Sequence, residues 1–303
     1  LSKKKSYVYA VDGITFSINA CETLGLVGES GCGKSTIGKT ILRLIDPTDG
    51  IIEFQSVNIN NLSRLELRKY RKEMQFVFQD PYFSVNPRMS IGSIVGEPLS
   101  NYKLARGQEK DDIVEATLNR VGLRSEYMEK FPHQMSGGQL QRVGIARALI
   151  LNPRFIVCDE VVSALDVSVQ AQVLNLLMDL QEEYKLSCLF ITHDLAVVEH
   201  ISHRIAVMYL GKIVELADRQ TLFESPQHPY TQALLSAAPV PDPTARKERT
   251  LLRGDVPSPV NPPKGCRFNT RCQYAELLCQ VEEPKLMEIA PNHMVACHMR
   301  HGS

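Results

Sequence analysis

The stretch Gly28-Glu-Ser-Gly-Cys-Gly-Lys-Ser-Thr36 constrains this chain more than any other feature. It fits the pattern G-x-x-x-x-G-K-[S/T], with Gly28, Gly33, Lys34 and Ser35 at the fixed positions. The apolar run Thr23–Val27 before it reads as a buried strand, and helix-compatible residues run from Ser35 to Ile45 after it. In such a strand, glycine loop and helix, backbone N–H groups turn inward on phosphate oxygens, with the positive helix end behind them. Lys34 then reaches the β- and γ-phosphates, and the Ser35 hydroxyl holds Mg²⁺.

The 303 residues suffice for one large α/β domain and a smaller appendage. Lys+Arg and Asp+Glu balance at 34 each, which argues against a nucleic-acid protein held by a global positive field. No apolar run reaches the roughly 18 residues of a membrane span. The basic N-terminus has no apolar stretch behind it, so it is no secretory signal. The chain lacks a starting Met and opens close to its first strand, so residues are expected upstream.

Residues 8–60 read as strands around the loop, and Met74–Phe78 as a short strand broken by Asp80-Pro81. Turn residues and then helical periodicity over Glu109–Val121 suggest a helical insertion. Gln139–Leu151 reads as a helix, Phe155–Cys158 as a central parallel strand, Val169–Tyr184 as an amphipathic helix and Leu186–Ile191 as another buried strand. The alternation predicts a mainly parallel sheet covered on both faces. The expected division is an ATP-binding core over 1–81 and 152–238 and a helical subdomain over 82–151. Prolines accumulate from Pro239, Pro241 and Pro243 to Pro263, and residues 239–303 form a linker and a cysteine-rich tail.

Asp159-Glu160 directly follows a buried strand. There the first carboxylate can hold Mg²⁺ and the second can polarise an attacking water, although an acidic pair also caps turns. Ser136 and the glycines before Gln139 form a second anion-binding helix start, or a simple N-cap. Two phosphate-type loops suit a head-to-tail dimer, in which Ser136, Gly137, Gly138 and Gln139 of one subunit face the γ-phosphate held by Lys34 of the other.

Gly28–Thr36, Gln79, Ser136–Gln139, Asp159-Glu160, Ser163-Ala-Leu-Asp166 and Thr192-His193-Asp194 stand in the order of ATP-binding-cassette (ABC) ATPases, and the chain resembles that family over residues 8–235. The resemblance implies a P-loop NTPase cassette. It places Gly28, Ser30, Gly31, Cys32, Gly33, Lys34, Ser35 and Thr36 on ATP, and Ser35, Gln79 and Asp159 on Mg²⁺. Glu160 is then the general base, Gln79 senses the γ-phosphate, His193 positions the water, and Asp166 links the two sites of the dimer. An aromatic residue stacks on adenine in the family, and Tyr7 and Tyr9 are the candidates.

Val77–Tyr82, Asn86-Pro-Arg88, Asp166–Leu174, His228–Leu235 and Gly265–Cys272 are similar to the ATPase subunits of bacterial oligopeptide and dipeptide importers. That resemblance implies a peripheral subunit on the cytoplasmic face of the inner membrane. It implies pairing with a second ATPase subunit, the same or different, and with two transmembrane permease subunits. Substrate would arrive from a peptide-binding protein, and nucleic acid would not be a partner. Nickel is an alternative solute, and a non-transport cassette acting on DNA or ribosomes is a further one. The chain departs from the pattern at Cys21, where Gly is usual, at Val161, where Pro is usual, and at Phe83, which replaces a smaller polar residue.

Of eight cysteines, Cys21, Cys32, Cys158 and Cys188 are scattered, whereas Cys266, Cys272, Cys279 and Cys297 crowd the tail. In a reducing compartment a metal site is favoured over disulfides. The absence of close cysteine pairs suits a [4Fe–4S] cluster better than Zn²⁺, while His293, His298 and His301 leave a mixed zinc site open. Similar tails in the importer ATPases carry such a cluster.

Overall fold

The computed structural model describes residues 7–237, 252 and 254–300. Along the chain run β1 (Thr23–Val27), α1 (Lys34–Ile41), β2 (Glu53–Phe54), β3 (Val57–Asn58), α2 (Arg64–Tyr70), β4 (Met74–Val77), α3 (Ile91–Asn101), α4 (Gly107–Arg120) and α5 (Gly137–Leu149). They are followed by β5 (Phe155–Asp159), α6 (Val167–Tyr184), β6 (Ser187–Thr192), α7 (Leu195–Ile201), β7 (Arg204–Tyr209), β8 (Lys212–Asp218), α8 (Arg219–Glu224) and α9 (Pro229–Ala237). The tail adds α10 (Leu277–Val281), β9 (Met287–Ala290) and β10 (His293–Val295).

The chain divides into two compact units, residues 1–17, 23–37 and 192–303 in one, and 18–22 and 38–191 in the other. In the second unit β4, β5 and β6 lie parallel in that order, Val77 opposite Cys158 and Asp159 opposite Ile191. Every residue of β5 is buried, as its unbroken apolar run requires. Helices α3, α4 and α5 pack on one another. Gly138 is required at the start of α5, because a Cβ there would lie 2.3 Å from the Val169 side chain of α6.

In the first unit β1 pairs parallel with β7, and β7, β8, β10 and β9 continue antiparallel. The sheet strands that carry the sequence motifs are thus parallel. The antiparallel strands are later additions, two of them from the tail. The core of this unit gathers Val27, Val207, Tyr209, Leu222 and Tyr230 around Phe268 from the tail. Of residues 8–60, read as strands around the loop, β1, β2 and β3 form, and residues 8–22 are irregular up to β1. Pro239, Pro241, Pro243 and His301 lie outside the described residues.

Candidate functional site

Lys34 opens α1, and its side chain folds back into the loop that precedes it. Its Nζ donates to the carbonyls of Gly28 (2.8 Å) and Glu29 (3.1 Å) and lies 3.9 Å from Cys32 Sγ. The ammonium is buried, and these carbonyl oxygens take the place of its water. Gly33 holds φ 111, and a Cβ there would lie 1.9 Å from the Ala10 carbonyl oxygen. Only glycine meets both conditions. Burial raises the Cys32 thiol, with Lys34 opposing the shift, so this cysteine remains a small apolar filler. Gly31 is open on its outer side, with nothing within 4 Å of a Cβ position. His193, also of this unit, is exposed just past β6, before the Asp194 N-cap of α7.

The second unit brings Gln79 and Glu160 together across 81 residues of sequence, Gln79 Nε2 donating to Glu160 Oε2 at 2.8 Å. Asp159 ends β5 and is buried, and Glu160 stands one residue beyond with a left-handed φ of 47. Its N–H donates to the Ile191 carbonyl, and its own carbonyl accepts from Ser163 N–H and Oγ. These bonds fix a backbone conformation that a non-glycine residue seldom adopts, as is frequent at functional sites. Ser136 is the N-cap of α5 in a full capping box, its Oγ accepting from Gln139 N–H while Gln139 Oε1 accepts from Ser136 N–H. Asp166 caps α6, and the Val169 N–H first and then the Ser168 hydroxyl hold its carboxyl below the usual range. Both residues thus serve as caps, whatever else they touch.

The donor set suits a magnesium nucleotide. In the first unit the Lys34 ammonium and the hydroxyls of Ser30, Ser35 and Thr36 belong to the loop and the helix it opens, and in the second unit the hard oxygens of Gln79, Asp159 and Glu160 lie at or just past the ends of β4 and β5. Against known proteins, the ABC transporter family model matches residues 11–163, and the model of the oligopeptide/dipeptide transporter C-terminal region matches residues 214–279.

This chain belongs to the ABC transporter family.

The cassette is 54% identical over 300 residues to the oligopeptide transport ATP-binding protein AppF of Bacillus subtilis, covering 98% of this chain and 91% of that protein. It is 53% identical to the probable peptide ABC transporter ATP-binding protein y4tS of Sinorhizobium fredii, covering 97% and 83%. Among solved structures, the dimeric post-hydrolysis state of the ATP-binding cassette MJ0796 bound to ADP and Pi superposes with a TM-score of 0.66 at 31% identity, over 72% of this chain and 94% of that one. No helix among the described residues of the cassette is long and apolar enough to cross a membrane.

The tail carries the four clustered cysteines. Among the described residues no group of three or more His, Cys, Asp or Glu is arranged to hold a metal ion. The four are free thiols. Burial pushes Cys266 up to about 12, and the thiols of Cys279, Cys297 and Cys272 add to the shift. Burial likewise raises Cys272 and Cys297. His293 is engaged elsewhere, its Nε2 lying 2.7 Å from the buried Glu215 carboxylate, and His298 Nε2 meets the Glu282 carbonyl.

Sequence reasoning missed Glu29, Tyr230 and Arg271. Glu29 N–H donates to Tyr230 Oη at 2.9 Å, and the Glu29 carboxylate pairs with Arg271. A signal existed: a glutamate inside a phosphate-type loop needs a cation to offset it, and the tail places an arginine beside each of Cys266 and Cys272. Tyr9 is half-exposed, with the Arg267 guanidinium 5.7 Å from its ring centroid.

Proposed function

We propose that the chain is an ATP-hydrolysing subunit that powers import of di- and oligopeptides through an ABC transporter. The observation that carries the catalytic reading is the Gln79–Glu160 hydrogen bond at the end of β5, which joins two remote candidates beside Asp159. The segments Gly28–Thr36 would bind the triphosphate, with Lys34 as its cation and Ser30, Gly31, Cys32 and Gly33 shaping the loop. Ser35, Gln79 and Asp159 would hold Mg²⁺, which when bound supplies charge that offsets the phosphate oxygens. Glu160 accepts the proton of the attacking water, Gln79 orients that carboxylate, and His193 positions the water. Positioning and charge stabilisation account for most of the rate.

The Ser136–Gln139 helix start supports closure on the nucleotide of a second ATPase subunit, the arrangement in which Asp166 lies at the junction. Tyr9 is the candidate for adenine. The core over 1–81 and 152–238, the helical subdomain over 82–151 and the tail over 239–303 are the proposed working parts. Phe83, 92% exposed beside the half-exposed Tyr82, supports docking of the helical side on two transmembrane subunits at the cytoplasmic face of the inner membrane. A peptide-binding protein delivers the substrate.

The tail cysteines are proposed to hold a [4Fe–4S] cluster in place of their protons, with Zn²⁺ as the competing occupant. Their spacing in the sequence supports this. Anaerobic purification should yield about four irons and four sulfides per chain, and one zinc without iron would overturn the assignment.

Glu160→Gln tests the catalytic reading. The amide keeps an acceptor for Gln79 but takes no proton. Phosphate release should fall roughly 10²- to 10³-fold while ATP binding persists. Undiminished turnover would remove Glu160 from the role of base.

A further inference from the structure

Glu29 places a carboxylate in a loop built to attract phosphate, where it repels the anion the loop serves. Its charge is met from the tail. Arg271 Nη1 donates to Glu29 Oε2 at 2.7 Å and Nη2 to Oε1 at 3.1 Å, a bidentate pair between residues 242 apart. The Arg271 side chain is only 7% exposed, and its guanidinium lies 5.8 Å from the Tyr209 ring centroid. Among the described residues its buried Nε has no hydrogen-bond partner. Burial of this cation is therefore supported chiefly by Glu29.

The pair reaches Lys34 through one residue. The Glu29 carbonyl accepts from Lys34 Nζ, and the Glu29 N–H is held by Tyr230. Arg271 is itself rooted where its N–H and that of Cys272 both donate to the Phe268 carbonyl, with the Phe268 ring packed on Tyr209 and Tyr230. The tail also holds the segment that precedes β1. Arg267 pairs with Asp12, and Pro259 accepts from the Tyr9 N–H, next to the Ala10 carbonyl against which Gly33 packs.

We propose that Arg271 is a positioning residue of the nucleotide site: it neutralises and immobilises Glu29, and thereby presents Lys34 to phosphate. This rests on the reading of Gly28–Thr36 as the ATP loop. Nucleotide affinity then depends on the conformation of the tail between Cys266 and Cys272. A change in that loop is felt at Lys34, and bound nucleotide is felt in the tail to the same degree. Arginine is required because a lysine offers one point of charge rather than a fork that spans both carboxylate oxygens.

The test uses the full chain, with MgATP and MgADP as probes. Wild-type binding and hydrolysis are measured first. Absence of both would sink the nucleotide reading, and this inference with it. Given a functional wild type, Arg271→Met should raise the KM and Kd for MgATP about tenfold, with kcat at saturation within about twofold. Arg271→Lys should fall between the two. The decisive variant is Arg271→Met combined with Glu29→Gln. Removing the orphaned carboxylate should recover most of the affinity, which restored packing alone would not do. Unchanged affinity in Arg271→Met, or a double variant no tighter than the single one, would overturn the proposal while leaving the ATPase intact. If Arg271→Met does not fold, Arg271→Lys alone and combined with Glu29→Gln gives the same comparison. There, a wild-type KM in Arg271→Lys would overturn the proposal.

Discussion

Cys21 holds φ 59 in the turn before β1, the left-handed region where the family usually places glycine. A Cβ in that region costs about 1–2 kcal/mol, part of which glycine loses again by loosening the unfolded chain. Cys21→Gly should therefore raise stability by about 0.5–1 kcal/mol in denaturant titration, and a lower midpoint would show that the bond from Cys21 Sγ to the Lys185 carbonyl outweighs the strain. His228 makes the opposite kind of demand. It is buried, and its Nδ1 accepts from the Tyr230 N–H, so it must stay neutral. Burial lowers its pKa from 6.5 to about 3. The unfolded chain takes up a proton near pH 6.5 that the folded chain refuses until about pH 3. Stability from this group is thus complete above pH 6.5 and falls by up to about 1.4 kcal/mol per pH unit below it. Chemical denaturation between pH 4 and 7 should show that slope flattened in His228→Gln, and an unaltered slope would place the acid sensitivity elsewhere.

At the scale of elements, what was legible followed from unbroken apolar runs and from punctuation. β1, β5 and β6 are continuous apolar stretches in the sequence, and Glu160 just past β5, Gln79 just past β4 and Ser136 at the start of α5 stand where their motifs lie. Helix α3 did not announce itself, because Gly92, Gly96 and Pro98 interrupt it, and it forms through the Ser90 cap and burial of Ile91, Ile94, Val95 and Leu99. Packing there overrides propensity. α5 raises the question of what its first residue is for. Ser136 caps the helix, and its replacement by alanine should cost about 1 kcal/mol whether or not it ever meets a nucleotide. Ser136→Asp separates the roles. Aspartate is as good a cap and also favours the helix dipole, so α5 and the thermal midpoint should be preserved. Facing a γ-phosphate, it adds repulsion, and ATP-driven dimerisation in a Glu160→Gln background should be lost by light scattering. Dimerisation that survived would confine Ser136 to capping.

At the scale of the molecule, the tail reads in sequence as an appendage behind a proline-rich linker, and composition offers no means of seeing otherwise. Some of its ties are to residues more than two hundred positions away, as in the Arg271–Glu29 and Arg267–Asp12 pairs, and such pairings leave no periodicity. In the fold, β10 pairs with β8, Phe268 is 2% exposed among Tyr209, Tyr230 and His228, and Glu215 of β8 accepts from His293 as well as from the Gln227 and His228 N–H groups. Ending the chain at Ala237 would uncover that core, strip β8 of a partner and leave Glu29 without its cation. Loss of a buried phenylalanine alone costs about 3–5 kcal/mol, against a usual total of about 5–15. The truncated chain should therefore unfold at least about 10 °C lower than the full chain. The chain contains no tryptophan, so circular dichroism or calorimetry is the suitable readout. A separable module would come away with a shift of about 2 °C or less. The two expectations differ because only one treats the phosphate loop and the cysteine tail as parts of a single packed unit.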